Sequence, residues 1–203
     1  MNTLETSATM ADEHGSAAAA ADVPGHEGHD PADVGRFGLL LFLFSESFLF
    51  AAFISARLYL SGLAKPEHVN LSLGVVLTAL LVASSLLSYR GLAALRRGDG
   101  RAAARWLSGT VLLGLGFVGG VAIEWSTAEF SITSAYGSAF YSVTGLHATH
   151  LISGLIALAL GIRLLRRNHF AAGSTWGIRG CIIYWTYVDL IWVLVIFPVL
   201  YLL

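Results

Sequence analysis

The sequence predicts an all-α integral membrane bundle of five transmembrane helices, its N-terminus cytoplasmic and its C-terminus external. Three observations carry this. Of 203 residues, 56% are hydrophobic and only 12% charged, a balance outside that of soluble domains. Apolar runs of about 20 residues, long enough to cross a bilayer, recur between charged or turn-forming segments. The basic residues also gather on one side of those runs. Membrane strands would instead show alternating segments about 10 residues long.

Taken in order, the first span runs from about Phe37 to Leu60 and the second from about Val69 to Tyr89. The third covers Trp106 to Trp125, the fourth about Gly137 to Ile162, and the fifth about Ile178 to the C-terminus. The Ser88–Arg105 connection carries Arg90, Arg96, Arg97, Arg101 and Arg105; the next one on that side carries Arg163, Arg166, Arg167 and Arg179. With Arg36 that face holds 10 basic residues, against Arg57 and Lys65 on the other. The excess of Lys and Arg on cytoplasmic loops sets the orientation. Gly116 and Gly120 form a G-x-x-x-G spacing in a glycine-rich third span, and Gly145, Gly154 and Gly161 mark the fourth. Small residues let helix backbones approach in lipid, here within the chain rather than across a dimer. Trp106, Trp125, Tyr136 and Trp176 fall near span ends, as interfacial aromatics do. Pro198 falls near the outer end of the fifth span, where a kink is tolerable.

Two regions follow: an acidic, disordered cytoplasmic tail over residues 1–34 and a membrane domain over residues 35–203. The tail has no basic residue before Arg36, and Ala17–Ala21 is too short for a signal-peptide core. Its composition, rich in Ala, Gly and Asp with Pro24 and Pro31, suits a disordered segment. His26-Glu27-Gly28-His29-Asp30 superficially resembles a metal site but reads as solvated sequence. Cys181, the only cysteine, excludes an intramolecular disulfide and reads as a small buried thiol. Arginines confined to short loops give no support to a nucleic-acid partner; they orient the chain and meet anionic headgroups.

Glu46, His147, His150 and Asp189 share a depth. Glu46 lies ten residues after Arg36, His147 ten after Gly137, and Asp189 ten after Arg179. At about 1.5 Å per residue each is about 15 Å inside, half of a core about 30 Å thick. Ionisable groups are costly there and face protein, water or an ion path. The expectation is a polar centre within the bundle.

Each group admits two readings. Glu46, in Phe-Ser-Glu-Ser-Phe, is either proton-related or a neutral acid bonded to a neighbouring helix. His147 and His150, three apart, share a helix face. They could hold a metal with Glu46 or Asp189, or form a hydrogen-bond network; the network is preferred, since a metal also demands tight geometry. A haem sandwiched between two histidines is disfavoured, because both sit on one side of one helix. Asp189 reads as a buried hydrogen-bonded acid with a histidine as its natural partner. Glu124, beside Trp125 at the outer end of the third span, reads as an interfacial acid that reaches water.

Three ordered segments carry a resemblance. Ser45-Glu46-Ser47-Phe48 resembles a Ser-Glu segment with a buried glutamate. Tyr136-Gly137-Ser138 followed by Thr144-Gly145-Leu146-His147-Ala148-Thr149-His150 resembles a Tyr-Gly-Ser…Thr-Gly-x-His-x-x-His signature. Tyr184-Trp185-Thr186-Tyr187-Val188-Asp189-Leu190-Ile191-Trp192 resembles Tyr-Trp-His-Phe-Val-Asp-x-x-Trp. All three belong to subunit III of the haem–copper respiratory oxidases, and the likeness covers about Gly35 to Leu203. The larger members have seven helices, and this chain looks like the shorter, bacterial form that lacks the first two. Thr186 stands where the family usually has His, and Val121 where a Gln commonly precedes the glutamate matching Glu124.

The resemblance implies an accessory, cofactor-free subunit of a proton-pumping terminal oxidase in a bacterial inner membrane. It implies direct contact with catalytic subunit I, association with subunit II and other subunits, haem and copper in those partners, and bound phospholipid here. It also implies support of proton uptake during oxygen reduction, with Glu46 as the reactive carboxyl beside His147 or His150. Two alternatives stay open: an accessory protein of nitric oxide reductase, or an independent membrane transporter or metalloenzyme. The absence of paired broken helices argues against a transporter.

Overall fold

The computed structural model describes residues 31–62, 69–167 and 175–203. The expected tail, with its His26–Asp30 run, lies outside them as far as Asp30, and Pro31–Val34 already belong to the first helix. Among the described residues five helices are long and apolar enough to cross a membrane: α1 (Pro31–Ser61), α2 (Leu71–Arg96), α3 (Gly100–Thr127), α4 (Ala135–Arg166) and α5 (Trp176–Ile191). The last continues through π-helical turns at Trp192–Ile196 and Pro198–Leu202.

The helices outrun the expected spans, and the Ser88–Arg105 connection is a correction. Most of it is helical, because arginine is a good helix former and its stem reaches water from a helix end. Only Arg97–Asp99 turn the chain. Gly98 takes φ +78°, the amide of Asp99 bonds the Ala94 carbonyl, and that of Gly98 bonds Leu95. This is a Schellman ending, which favours glycine at that position. Asp99 then caps α3, its carboxylate accepting from the Ala102 amide at 2.8 Å. Asn70 and Ser134 cap α2 and α4 in the same way.

Helix α4 packs against α1, α3 and α5, and α2 against α3 and α5. Helix α1 lies mainly on α4 and α5 rather than on α2, its neighbour in sequence. It buries Leu43, Phe50, Ile54 and Arg57, which share one face, and leaves Phe37, Leu40, Leu41, Phe44 and Phe48 outward. The glycines of α3 and α4 serve packing within the chain. Gly120 faces Leu77 and Gly116 faces Leu80, both on α2, while Gly114 and Gly154 flank the Trp185 ring.

In the π-helical end the amide of Phe197 reaches back five residues to Trp192, and that of Leu203 to Pro198. The wider turn accommodates a proline that has no amide of its own and crowds the preceding turn. Tyr136, expected at the interface, is buried, and its hydroxyl donates to the Leu200 carbonyl at 2.7 Å. Cys181, expected buried, is half-buried beside a groove between α1, α4 and α5.

Candidate functional site: a divided polar centre

Glu46 and His150 meet across α1 and α4, with His150 Nε2 2.7 Å from Glu46 Oε2. The other ring nitrogen, Nδ1, lies 2.8 Å from the Leu146 carbonyl. A carbonyl only accepts, so Nδ1 carries a proton. One further proton between Nε2 and Oε2 then satisfies the short contact. It sits either on the acid, beside neutral imidazole, or on the ring, beside carboxylate. Both arrangements are neutral overall, which suits a pair midway along two membrane helices. Next to it Ser47 donates to the Leu43 carbonyl at 2.9 Å, leaving the Tyr187 hydroxyl to donate to Ser47 at 2.9 Å. Tyr184 reaches Ser153 and the His150 carbonyl, so α5 supports both members of the pair.

His147 goes elsewhere. It is fully buried, and neither ring nitrogen has a hydrogen-bond partner among the described residues. Aromatic rings enclose it: Trp192 at 5.0 Å, Phe117 at 5.7 Å and Phe50 at 6.3 Å between centroids. Phe50 also touches His150, at 5.0 Å, and so stands between the two histidines.

Asp189 corrects the expectation of a histidine partner. Its Oδ2 accepts from Ser85 at 2.6 Å and from Ser84 at 3.0 Å, both on α2, while Oδ1 has no partner among the described residues. Ser84 also accepts from the Trp185 indole at 3.0 Å, and Thr110 of α3 donates to the Ser84 carbonyl at 3.4 Å. This knot joins α2, α3 and α5. Thr186, where the family usually has histidine, donates to Ile182 on its own helix.

The expected single centre is thus three separate ones. Among the described residues no three His, Cys, Asp or Glu side chains converge as a metal ion requires.

Glu124 is a second correction. At 5% exposure it is buried, and the Tyr201 hydroxyl donates into its carboxylate, 2.8 and 2.7 Å from the two oxygens. Phe117, Val121 and Glu124 form an i, i+4, i+7 stripe, which places the acid on the buried face of α3. Arg57 was counted only as an outer charge, yet it is fully buried. Its guanidinium lies over the Tyr136 ring, 5.0 Å from the centroid, and Nη1 donates to Ser61 and to the Gly62 carbonyl. Phe50, Ile54 and Arg57 repeat the same spacing on α1, a signal present in the sequence.

The family model for cytochrome c oxidase subunit III matches residues 16–203. The cytochrome c oxidase subunit 3 of Thermostichus vulcanus is 34% identical over 183 residues, covering 86% of this chain and 90% of that protein. A probable cytochrome c oxidase subunit 3 of Nocardia farcinica is 36% identical over 166 residues, covering 77% and 82%. Against the cytochrome c oxidase subunit 3 of Coturnix japonica, 33% identical over 170 residues, the match covers 77% of this chain but 65% of the longer bird protein. By the match over residues 16–203 and by these relatives, this chain belongs to the cytochrome c oxidase subunit III family of the haem–copper oxidases, in its short, bacterial-type form.

Proposed function

We propose that this chain is the accessory subunit of a proton-pumping terminal oxidase of the bacterial inner membrane, stabilising catalytic subunit I and supporting its proton uptake. The family match over nearly the whole chain supports the accessory role. The observation that carries the proton-related part is the Glu46–His150 contact with Nδ1 held by Leu146. Such a pair can pass one proton along a 2.7 Å line without leaving a net charge in hydrocarbon. The arginine-rich ends of α2, α3 and α4 support a cytoplasmic N-terminus and an external C-terminus.

Purification from native membranes through a tag on this chain tests the reading. A reduced-minus-oxidised haem spectrum with oxygen consumption is the expected result. A haem complex that reduces nitric oxide would select the other accessory role. Within the oxidase, Glu46→Gln should leave the initial rate of oxygen reduction intact and change how long turnover is sustained. Complete loss of activity from the first turnover, in an assembled complex, would sink the accessory role.

A further inference from the structure

The Glu46–His150 pair is closed on one side and open on the other. His150 Nδ1 ends at the Leu146 carbonyl, 2.8 Å away, which accepts a hydrogen bond but has no proton to pass on. Ser47 is engaged by the Leu43 carbonyl and by Tyr187, not by the pair. Among the described residues the shared proton therefore has no second station. Glu46 Oε1 makes no hydrogen bond among them either, and the side chain keeps 16% of its surface exposed. A carboxyl oxygen left open midway through a membrane is costly, and hydrocarbon offers it no donor.

Ser45, the preceding residue, is exposed, and its hydroxyl makes no hydrogen bond among the described residues. Other outward hydroxyls fold back on their own helix, as Thr149 does to the Gly145 carbonyl at 2.9 Å and Ser153 to that of His150 at 2.7 Å. Gly38, Ser45 and Ala52 lie seven residues apart, close to two turns, with Ala56 about one turn further, and all four are exposed. They form a line of small side chains, bordered by Glu46, where a second backbone can approach closely. Helix α1 is also the most open of the five: 11% of its span is buried, against 28% to 39% in the others.

We propose that a transmembrane helix of a partner subunit packs along this line of α1 and hydrogen-bonds Glu46 Oε1 through a polar side chain at half depth. A lipid tail could cover the small residues, but it has no donor for Oε1 and no partner for the Ser45 hydroxyl. A helix carrying a polar side chain supplies both. Oε1 is then the atom through which the Glu46–His150 pair communicates with the rest of a complex. The inference rests on the accessory-subunit reading in requiring a partner, whatever that partner reduces.

A photoreactive amino acid placed at Ser45, activated in native membranes before the complex is purified, tests it. It should attach to a membrane-spanning segment of one other polypeptide of the complex. Attachment to lipid alone, or to a second copy of this chain, overturns the proposal. Ala52→Trp, a bulky change on the exposed line, should abolish the attachment; its persistence would show that the partner does not lie along the small residues. The polar side chain of the attached segment nearest Ser45 is then replaced by alanine. The infrared band of Glu46, identified by its loss in Glu46→Gln, should shift in that variant. An unmoved band, or a segment with no polar side chain there, rejects the contact with Oε1. The haem spectrum and the substrate consumed report separately on the oxidase reading. An oxygen-reducing complex in which Ser45 meets only lipid would keep that reading and refute the contact.

Discussion

Replacing Gly114 by alanine tests how tightly the bundle is built around Trp185. A methyl group there would sit 2.6 Å from Cη2 of the Trp185 ring and 2.8 Å from Cδ2 of Leu155. Carbon atoms pack best at about 3.5–4.0 Å, so the ring must retreat by about 1 Å. It has little room, because it is fully buried and already close-packed against Gly154 of α4 on its other edge. Retreat also lengthens the 3.0 Å bond from its indole to Ser84. Overpacking costs about 1–3 kcal/mol and a weakened hydrogen bond about 1 kcal/mol. Alanine in a helix returns about 0.8–1 kcal/mol relative to glycine. The net expectation is a loss of about 1–3 kcal/mol. It is read as earlier unfolding of the detergent-solubilised protein on heating, followed by tryptophan fluorescence. The control is Gly119→Ala, where nothing lies within 4 Å of the new methyl group and stability should hold or rise slightly. Equal stability of Gly114→Ala and Gly119→Ala would refute the reasoning.

Glu46→Gln keeps a donor for His150 Nε2 and should cost under about 1 kcal/mol, whereas Glu46→Ala strands that nitrogen and should cost about 1–3 kcal/mol. Equal unfolding midpoints for the two variants would show that the contact contributes nothing to stability. Tyr201→Phe removes the donor seen at Glu124 and should destabilise by about 1–3 kcal/mol. The loss should shrink in a Glu124→Leu background, and a double-mutant cycle with no coupling would reject the pair. Ser84→Ala should cost more than Ser85→Ala, because Ser84 both accepts from Trp185 and donates to Asp189 while Ser85 serves Asp189 alone. The reverse order in chemical unfolding would mean that Asp189, not the indole, sets the strength of the knot.

The five spans were legible because hydrocarbon demands length and apolarity, and both are written plainly in composition. Which polar groups meet was not, because depth is read from spacing along a helix while partnership depends on direction around it. His147 and His150 show the difference. Three residues apart on a 3.6-residue helix, they diverge by about 60°. That is enough to send His150 to α1 and His147 into the aromatic enclosure. Asp189 shares their depth but sits on α5 toward α2, so two serines reach it and neither histidine does. Arg57 and Glu124 were readable in principle, since each continues a buried stripe, but a charge near a span end invites the simpler reading of an interfacial group. The turn at Arg97–Asp99 was also present in the sequence, Gly98 as a helix stop and Asp99 as a helix start.

The position of the Glu46–His150 pair has a mechanical consequence for α1. That helix buries little of its surface: four side chains on one face, with the opposite face turned outward along most of its length. Two polar ties, Glu46–His150 and Ser47–Tyr187, therefore make up a larger share of its attachment than comparable bonds do for α3 or α4. A charge-assisted hydrogen bond is roughly twice as strong as a neutral one. Moving the shared proton from Glu46 to His150 thus changes how firmly α1 is held against α4, although the net charge of the pair does not change. Ser47 follows Glu46 directly and its tie runs to α5, so both ties lie within a single turn at the middle of α1. Loosening one removes the nearest support of the other. On the proposed proton-related role, a helix held at its centre by two adjacent polar contacts would respond to that proton more than one held along its length by packing; besides the Arg57 guanidinium over Tyr136 nearer its end, α1 is held that way.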